Sequence, residues 1–123
     1  MLDRRQAAGL IAAEMTHYRA ARRAGDYPAA WRALERAHIV AQPFFGIHLS
    51  SHGHMLGFAM ALGDWREAAG QIFRLALVPL GSLTGRIPAG NSGRARVSAF
   101  QPMAIPSDLA ATMSRRDKQM TGR

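Results

Sequence analysis

The sequence of 123 residues contains no cysteine. Disulfide bonds, cysteine-ligated zinc, iron–sulfur clusters and thiol nucleophiles are therefore excluded. Any metal ion would have to be bound through histidine, carboxylate or carbonyl groups. A chain of this length is expected to form one compact domain around a single hydrophobic core, because it is too short for two domains of ordinary size.

Long hydrophobic runs are also missing. The N-terminal segment carries Asp3 and Glu14 and has no uninterrupted apolar core, so it does not have the pattern of a signal peptide, and a cytoplasmic location is expected. The most apolar stretch, 43–63, has no Asp, Glu, Lys or Arg, but serines and histidines interrupt it. This stretch predicts a buried helix of a soluble protein and no membrane span.

Acidic residues are scarce. Eight Asp and Glu stand against 16 Lys and Arg, which gives a formal net charge of +8, and most of the excess lies in 81–123. A polyanionic partner is compatible with this charge. A nucleic acid is nevertheless the less favoured partner, since the sequence has no recognition-helix turn, no aromatic stacking set and no zinc finger.

Apolar residues recur at helical spacing through the first 80 residues and predict an all-α fold. The first helix is expected to end before Gly25, the second to run between Asp26 and Pro43, and the third and fourth to cover 44–62 and 65–80. The third helix lacks charge and is expected to be packed on most sides. The residues of the fourth helix expected to face the core are Ala68, Ile72, Leu75 and Val78.

A weak internal repeat supports this plan. The turn Gly25-Asp26-Tyr27 resembles Gly63-Asp64-Trp65, which indicates two helical hairpins of tetratricopeptide type. Two repeats are too few for a solenoid, so we expect 1–80 to form an antiparallel four-helix bundle.

The remaining residues are predicted to form irregular structure. Glycine, proline, serine and asparagine recur in 81–113, which we expect to pack across the bundle as an ordered strap and to cover the end at which the fourth helix finishes. Ser107 is expected to begin a short terminal helix. The last segment, 114–123, is predicted to be a flexible basic tail.

All five histidines lie in the helical part. Glu14 and His17 form one Glu-x-x-His motif and Glu35 and His38 form another, a spacing that places carboxylate and imidazole on one helix face. His48 and His52 are four residues apart and share a face of the third helix. Antiparallel packing about the turns brings these six positions to one level. The predicted ligands are therefore Glu14, His17, Glu35, His38, His48 and His52, whereas His54 points away from them.

Several buried imidazoles and carboxylates require a compensating charge or hydrogen-bonding partner, because their desolvation costs a few kcal/mol each. A transition metal ion such as Zn, Cu or Fe would satisfy this nitrogen-rich set. Two explanations of these residues without a metal ion stay open: the glutamates pair with surface arginines, or the histidines form a polar network in the core.

These observations predict a transition-metal-binding helical bundle linked to metal handling or to metal-dependent chemistry. Whether it is an enzyme stays open. The alternative is a small helical-repeat adaptor that binds a protein or a nucleic acid and whose histidines are structural. A homo-oligomer packed through the uncharged third helix is also compatible with the sequence.

A resemblance to a known family covers most of the chain, from about His17 to Leu109. It is carried by the run 30–43, by His48 and His52, by Gly70-Gln71, and by 88–93 with 102–106. These stretches resemble the bacterial domain of unknown function 3703. The resemblance implies a stand-alone bacterial protein and favours a ligand role for the histidines, but it assigns no chemistry.

Overall fold

The computed structural model describes residues 2–84, 91–95 and 103–121. These residues form five α-helices and no strand, which confirms the all-α prediction. The helices are α1 (Arg4–Arg23), α2 (Tyr27–Ala41), α3 (Phe45–Ala61), α4 (Trp65–Thr84) and α5 (Ser107–Thr121).

The repeated Gly-Asp dipeptide explains where α2 and α4 begin. Gly25 and Gly63 have φ values of +72° and +68°, in the left-handed region that closes the preceding helix at low cost for glycine. The aspartate that follows each glycine accepts a hydrogen bond from the first turn of the next helix: Asp26 from the Ala29 amide, and Asp64 from the Glu67 amide. Both hairpins therefore begin their second helix by the same local device.

The helices pack in the order of the chain. Helix α1 lies against α2, α2 against α3, and α3 against α4, which is the pattern of two stacked hairpins. Within the described residues, α1 and α4 share no interface of similar extent. A closed antiparallel arrangement of all four helices therefore stays a prediction.

The core has two parts. The aromatic cluster lies between the two hairpins and is formed by Tyr18, Ala30, Trp31, Ala33, Leu34, Met55, Phe58, Ala59 and Ala68. The second cluster joins α1, α2 and α5 and is formed by Leu2, Ala7, Leu10, Ile39, Val40 and Leu109. Burial of these side chains supplies most of the free energy that stabilises the fold.

Helix α5 is longer than the short terminal helix expected from Ser107, and it includes most of 114–123, which the sequence predicted to be a flexible tail. Leu109 anchors it in the second cluster. Arg36 on α2 pairs with Asp108 at a distance of 2.9 Å, and the Gln6 side chain donates to the Arg116 carbonyl oxygen at 2.9 Å. The helix is therefore docked on α1 and α2 by apolar and polar contacts.

The orientation of α4 differs from the prediction. Ala68 and Val78 are buried as expected, but Ile72 is 59% exposed. The buried face carries Glu67, Gln71 and Arg74 instead. Leu75 is half-buried, so the buried face overlaps the predicted one and only Ile72 is misplaced. Hydrophobicity alone misplaces it because the interior offers the polar side chains hydrogen-bonding and charged partners. The apolar residues Trp65, Ile72, Phe73 and Leu80 lie on the outer face.

Helix α3 is also less enclosed than predicted. Phe45 and Met60 are half exposed, and Ser50 and His54 of the same helix are exposed. The absence of charge from α3 therefore does not mean that it is packed on most sides. No helix in the described residues has both the length and the apolar character needed to cross a membrane.

Candidate metal centre

Three histidines meet in the interior. His38 comes from α2, and His48 and His52 come from adjacent turns of one face of α3. Their Nε2 atoms lie 3.0 Å (38–48), 3.1 Å (38–52) and 3.2 Å (48–52) apart. None of the three residues is more than 5% exposed. The structure thus has the predicted register, in which His38 lies opposite His48.

Hydrogen bonds fix the orientation of two of the rings. His38 Nδ1 lies 2.7 Å from the Asn91 carbonyl oxygen, which only accepts, so His38 Nδ1 carries the hydrogen. His52 Nδ1 lies 2.7 Å from Gln71 Oε1. The Gln71 amide nitrogen donates to the Gly93 carbonyl oxygen at 2.8 Å, which turns its oxygen toward His52. In their neutral forms, His38 and His52 therefore both direct an Nε2 lone pair into the cluster.

His48 alone cannot provide a hydrogen-bond donor to both of these lone pairs. Its Nδ1 is buried and has no hydrogen-bond partner in the described part of the chain. A hydrogen on its Nε2 could bond one of the two neighbouring nitrogens well, but the lone pairs of His38 and His52 would still face each other at 3.1 Å. A cation bound by all three nitrogens would relieve this repulsion.

The protein environment keeps the cluster uncharged. Burial, followed by the neighbouring His52 and His48, holds the pKa of His38 well below its usual value. Burial and then His52 lower the pKa of His48 to about 4. Burial and Arg74 lower the pKa of His52, although its hydrogen bond to Gln71 opposes them. At neutral pH the imidazoles are therefore in the form that ligates metals.

The segment 91–95 covers the cluster. Gly93 has a φ of +82°, and a Cβ atom at this position would lie 2.8 Å from the His38 ring. On α4, a Cβ on Gly70 would overlap Ala95. Both glycines therefore permit a close approach of this segment to the helices. The strap predicted over 81–113 stays a prediction, because 85–90 and 96–102, which include its apolar residues Ile87, Val97 and Phe100, lie outside the described residues.

Ion pairs fasten this segment. Arg94 pairs with Glu67 on α4 and, at 3.2 Å, with Glu35 on α2. Its guanidinium also lies over the Trp31 ring, 3.8 Å from the ring centroid. The Ala95 amide donates to the second carboxylate oxygen of Glu67 at 2.8 Å. One arginine thus links both hairpins beside the histidine cluster.

The other three predicted ligands are not part of the cluster. Glu14 faces α2 as the register predicts, but it pairs with Arg36 at 2.8 Å. His17 lies 3.5 Å from Glu14, and its side chain is 71% exposed. Glu35 pairs with Arg94. The structure therefore brings together His38, His48 and His52 only, because arginines neutralise the two glutamates. His54 is exposed, on the side of α3 away from the cluster, as expected.

Sequence reasoning missed the surrounding polar residues. Gln71 and Asn91 orient two of the histidines, and Glu67 and Arg94 hold the covering segment. The only available signal was the presence of Gln71 and Asn91 in stretches that resemble a family, and that signal gives neither of them a role.

Comparisons with known proteins give a family and nothing more specific. No curated protein and no solved structure has a significant match to this chain. The model of a family described as "Protein of unknown function (DUF3703)" matches residues 5–113, which is most of the sequence and includes all three clustered histidines. The chain therefore belongs to the DUF3703 family.

Proposed function

We propose that this protein binds one transition metal ion through the Nε2 atoms of His38, His48 and His52. The observation that carries the proposal is the convergence of three buried, neutral imidazoles whose nitrogens form a triangle with sides of 3.0–3.2 Å. Within the described residues this is the group of histidine and acidic side chains that could hold a metal ion.

The size of the triangle suits metal ligation. Imidazole nitrogens bind zinc at about 2.0–2.1 Å, so two such ligands lie about 3.3 Å apart around a tetrahedral ion and about 2.9 Å apart on one face of an octahedral ion. The observed separations fall between these values. Small movements of the rings would complete either geometry.

The partners of the rings support the same function. Metal-binding histidines commonly donate their second ring nitrogen to a carbonyl or carboxylate oxygen, which fixes the tautomer and the ring orientation. His38 and His52 make this kind of hydrogen bond, to Asn91 and Gln71. Lowered pKa values favour the proposal further, because protons then compete weakly with a metal ion.

The number of ligands indicates the kind of site. Structural zinc sites usually have four protein ligands, whereas catalytic sites have three and keep one position open. No carboxylate among the described residues joins the three histidines. An open position suits exchange of an external ligand, either in metal handling or in metal-dependent chemistry. The all-nitrogen set favours Zn, Cu or Fe over Mg or Ca.

Elemental analysis tests this proposal. The protein is produced without a histidine tag, and its metal content is measured as isolated and after incubation with Zn, Cu, Fe or Co followed by desalting. About one equivalent is expected for the wild type and for His54→Ala, whose histidine is exposed on the same helix. His52→Ala should bind none. A wild-type protein that retains none of these metals, or a His52→Ala variant that retains them as well as His54→Ala does, would refute the proposal.

One observation favours a homo-oligomer as a second possibility, formed through α4 and not through the third helix. The side chains of Trp65, Ile72, Phe73 and Leu80 are more than half exposed on one face of α4. This stripe carries no charge, so a second copy of the chain suits it better than a polyanion. Sedimentation velocity would detect a dimer in the wild type that Phe73→Ser abolishes. A wild-type monomer at high concentration would exclude this homo-oligomer.

A further inference from the structure

The segment that covers the cluster also orients two of its histidines. The Asn91 carbonyl oxygen accepts the hydrogen of His38 Nδ1 at 2.7 Å. The Gly93 carbonyl oxygen accepts from the Gln71 amide nitrogen at 2.8 Å, and Gln71 Oε1 lies 2.7 Å from His52 Nδ1. Two backbone carbonyl groups of one short segment therefore orient one imidazole directly and a second imidazole through a glutamine.

The covering segment, 91–95, is fastened by polar groups that do not touch the histidines. Arg94 pairs with Glu67 and with Glu35, and the Ala95 amide donates to Glu67 at 2.8 Å. An open cavity of about 370 Å³ borders both Arg94 and Glu35, so this ion pair lies next to solvent. Water can replace such polar contacts, whereas separation of α2 from α3 would expose the aromatic cluster. Of these two movements, displacement of the covering segment costs less free energy.

The burial of the cluster makes such a movement necessary. None of the three histidines is more than 5% exposed, so a metal ion enters or leaves only when a surrounding element moves. Displacement of the covering segment would open the cluster and would also remove the hydrogen bonds that orient His38 and His52. Access to the centre and the geometry of its ligands therefore depend on the same five residues.

We infer that metal binding and docking of the covering segment are coupled, and that Arg94 and Glu67 are positioning residues of the metal centre. The docked segment keeps two Nε2 lone pairs directed at the ion, and its displacement releases both imidazoles at once. By thermodynamic linkage, the bound ion stabilises the docked segment by the same factor by which docking raises the metal affinity. The inference rests on the proposed metal site and gives that site a means of release that leaves the helical core intact.

Gly70 of α4 offers a way to displace the segment without changing a histidine or an ion pair. A Cβ atom at this position would overlap the Ala95 Cβ atom, so Gly70→Ala forces the segment away from α4. The substitution itself favours the helix. It should lower the affinity for Zn²⁺ about tenfold or more, which is the usual effect of losing an outer-shell partner. Competition with a chromogenic chelator measures this affinity. Gly9→Ala on α1 meets only open space and is the matched control, which should bind zinc as the wild type does.

A second substitution restores the space. Ala95→Gly removes the methyl group that Gly70→Ala would meet and leaves a Cα atom 3.2 Å away, which a small shift accommodates. The double variant Gly70→Ala/Ala95→Gly should therefore recover most of the lost zinc affinity. A merely structural effect of Gly70→Ala on α4 predicts no recovery, and that result would overturn the inference.

The ion pairs are tested separately. Arg94→Gln removes the charge that fastens the segment and should weaken zinc binding about tenfold or more, and Arg94→Lys should recover part of the loss. Arg36→Gln breaks the ion pairs to Glu14 and Asp108 away from the cluster and should leave the zinc affinity unchanged. Should Arg94→Gln fail to fold, the Gly70 variants decide the question.

Amide hydrogen exchange measures the coupling in the opposite direction. The Gly93 amide donates to Asn91 Oδ1 at 2.9 Å, and the Ala95 amide donates to Glu67. Zinc should slow the exchange of both amides about tenfold or more in the wild type, because the bound ion stabilises the docked segment. In His52→Ala, which lacks one ligand, added zinc should have no effect on either amide.

The outcomes separate the two proposals. A wild type that binds none of Zn, Cu, Fe and Co refutes the metal site itself. Zinc that binds equally well to the wild type and to Gly70→Ala, or that leaves the exchange of the two amides unchanged, overturns the coupling alone. Equal zinc affinity in the wild type and in Arg94→Gln overturns the positioning role of the ion pair.

Discussion

The interface between α2 and α3 has two halves of different chemistry. In one half, Trp31 and Leu34 of α2 join Met55 and Phe58 of α3 in the aromatic cluster. In the other half, His38 of α2 faces His48 and His52 of α3. Both halves are almost fully buried and belong to the same pair of helices.

The aromatic half stabilises the fold, whereas the histidine half is held in place by it. The Phe58 ring contacts Trp31 at a centroid distance of 4.8 Å and Tyr18 at 5.3 Å, so the aromatic half gains free energy from burial and from ring contacts. The imidazole half loses hydration and, without a cation, leaves nitrogen lone pairs in opposition. The aromatic half therefore determines the register of α2 and α3. This register brings His38 of α2 opposite His48 and His52 of α3.

Loss of the aromatic half should have the largest effect on stability. Phe58→Ala removes a ring that is 1% exposed and should lower the free energy of unfolding by about 3–5 kcal/mol. Urea denaturation of the metal-free protein measures this loss. The matched control is His54→Ala on the exposed side of α3, which should change stability by less than about 0.5 kcal/mol. If Phe58→Ala lowers the free energy of unfolding by less than about 1 kcal/mol, the aromatic half is not the part of the interface that stabilises the fold.

Acid should weaken the imidazole half selectively. The pKa of His48 falls from its ordinary value of 6.5 to about 4 in the folded protein, mainly because of burial. The unfolded chain therefore binds protons before the folded protein does, and stability falls with decreasing pH. The stability of the metal-free protein should be fully present above about pH 6.5. It should decline as the pH falls toward 4, by an amount on the order of 3 kcal/mol.

Urea denaturation at several pH values checks this dependence, and a His48→Leu variant is the comparison. The variant lacks the titrating imidazole at this position and should lose less stability between pH 6.5 and 4. An equal loss in both proteins would show that other groups cause the acid sensitivity.

Removal of a ring partner should weaken metal binding without preventing it. Gln71→Leu deletes the oxygen that orients His52 and should reduce metal affinity about 10–100-fold, which is the usual effect of losing an outer-shell partner. Competition with a chromogenic chelator measures the affinity. Gln119→Leu changes the same residue type at an exposed position of α5 and should have no effect. Unchanged affinity in Gln71→Leu would contradict the proposed orientation of His52.

The smallest effect is expected at the segment that covers the cluster. Gly93→Ala introduces a Cβ atom next to the His38 ring at a residue whose φ is +82°, and should cost about 1–2 kcal/mol of stability. We expect the bound metal to dissociate faster because the segment packs less closely. Gly57→Ala on α3 has open space and should be neutral or slightly stabilising. Stopped-flow transfer of the metal to a chelator compares the rates, and equal rates would show that 91–95 does not limit release.

Much of the helical plan could be predicted from local patterns. Helix geometry and short connections account for three of its features: the repeated Gly-Asp turns, the shared face of His48 and His52, and the position of His38 opposite His48. The same reasoning included Glu14, His17 and Glu35 in the site. Pairing of the two glutamates with arginines stayed open as the alternative, and the structure has it, with Arg36 on Glu14 and Arg94 on Glu35. The sequence could not decide between the two, because carboxylates on apolar stripes have the same pattern whether a metal or an arginine neutralises them.

The sequence by itself determined the helices, their turns and the facing pair of histidine positions, because these depend on residues a few places apart. The tertiary structure decided which face of α4 is buried, and it brought Asn91 and Arg94 to side chains more than 50 residues earlier in the chain. Hydrophobic periodicity does not encode this choice, since a polar side chain is buried only when a distant partner satisfies its hydrogen bonds or its charge. The centre therefore depends on helix geometry for its imidazoles and on long-range packing for the groups that orient them.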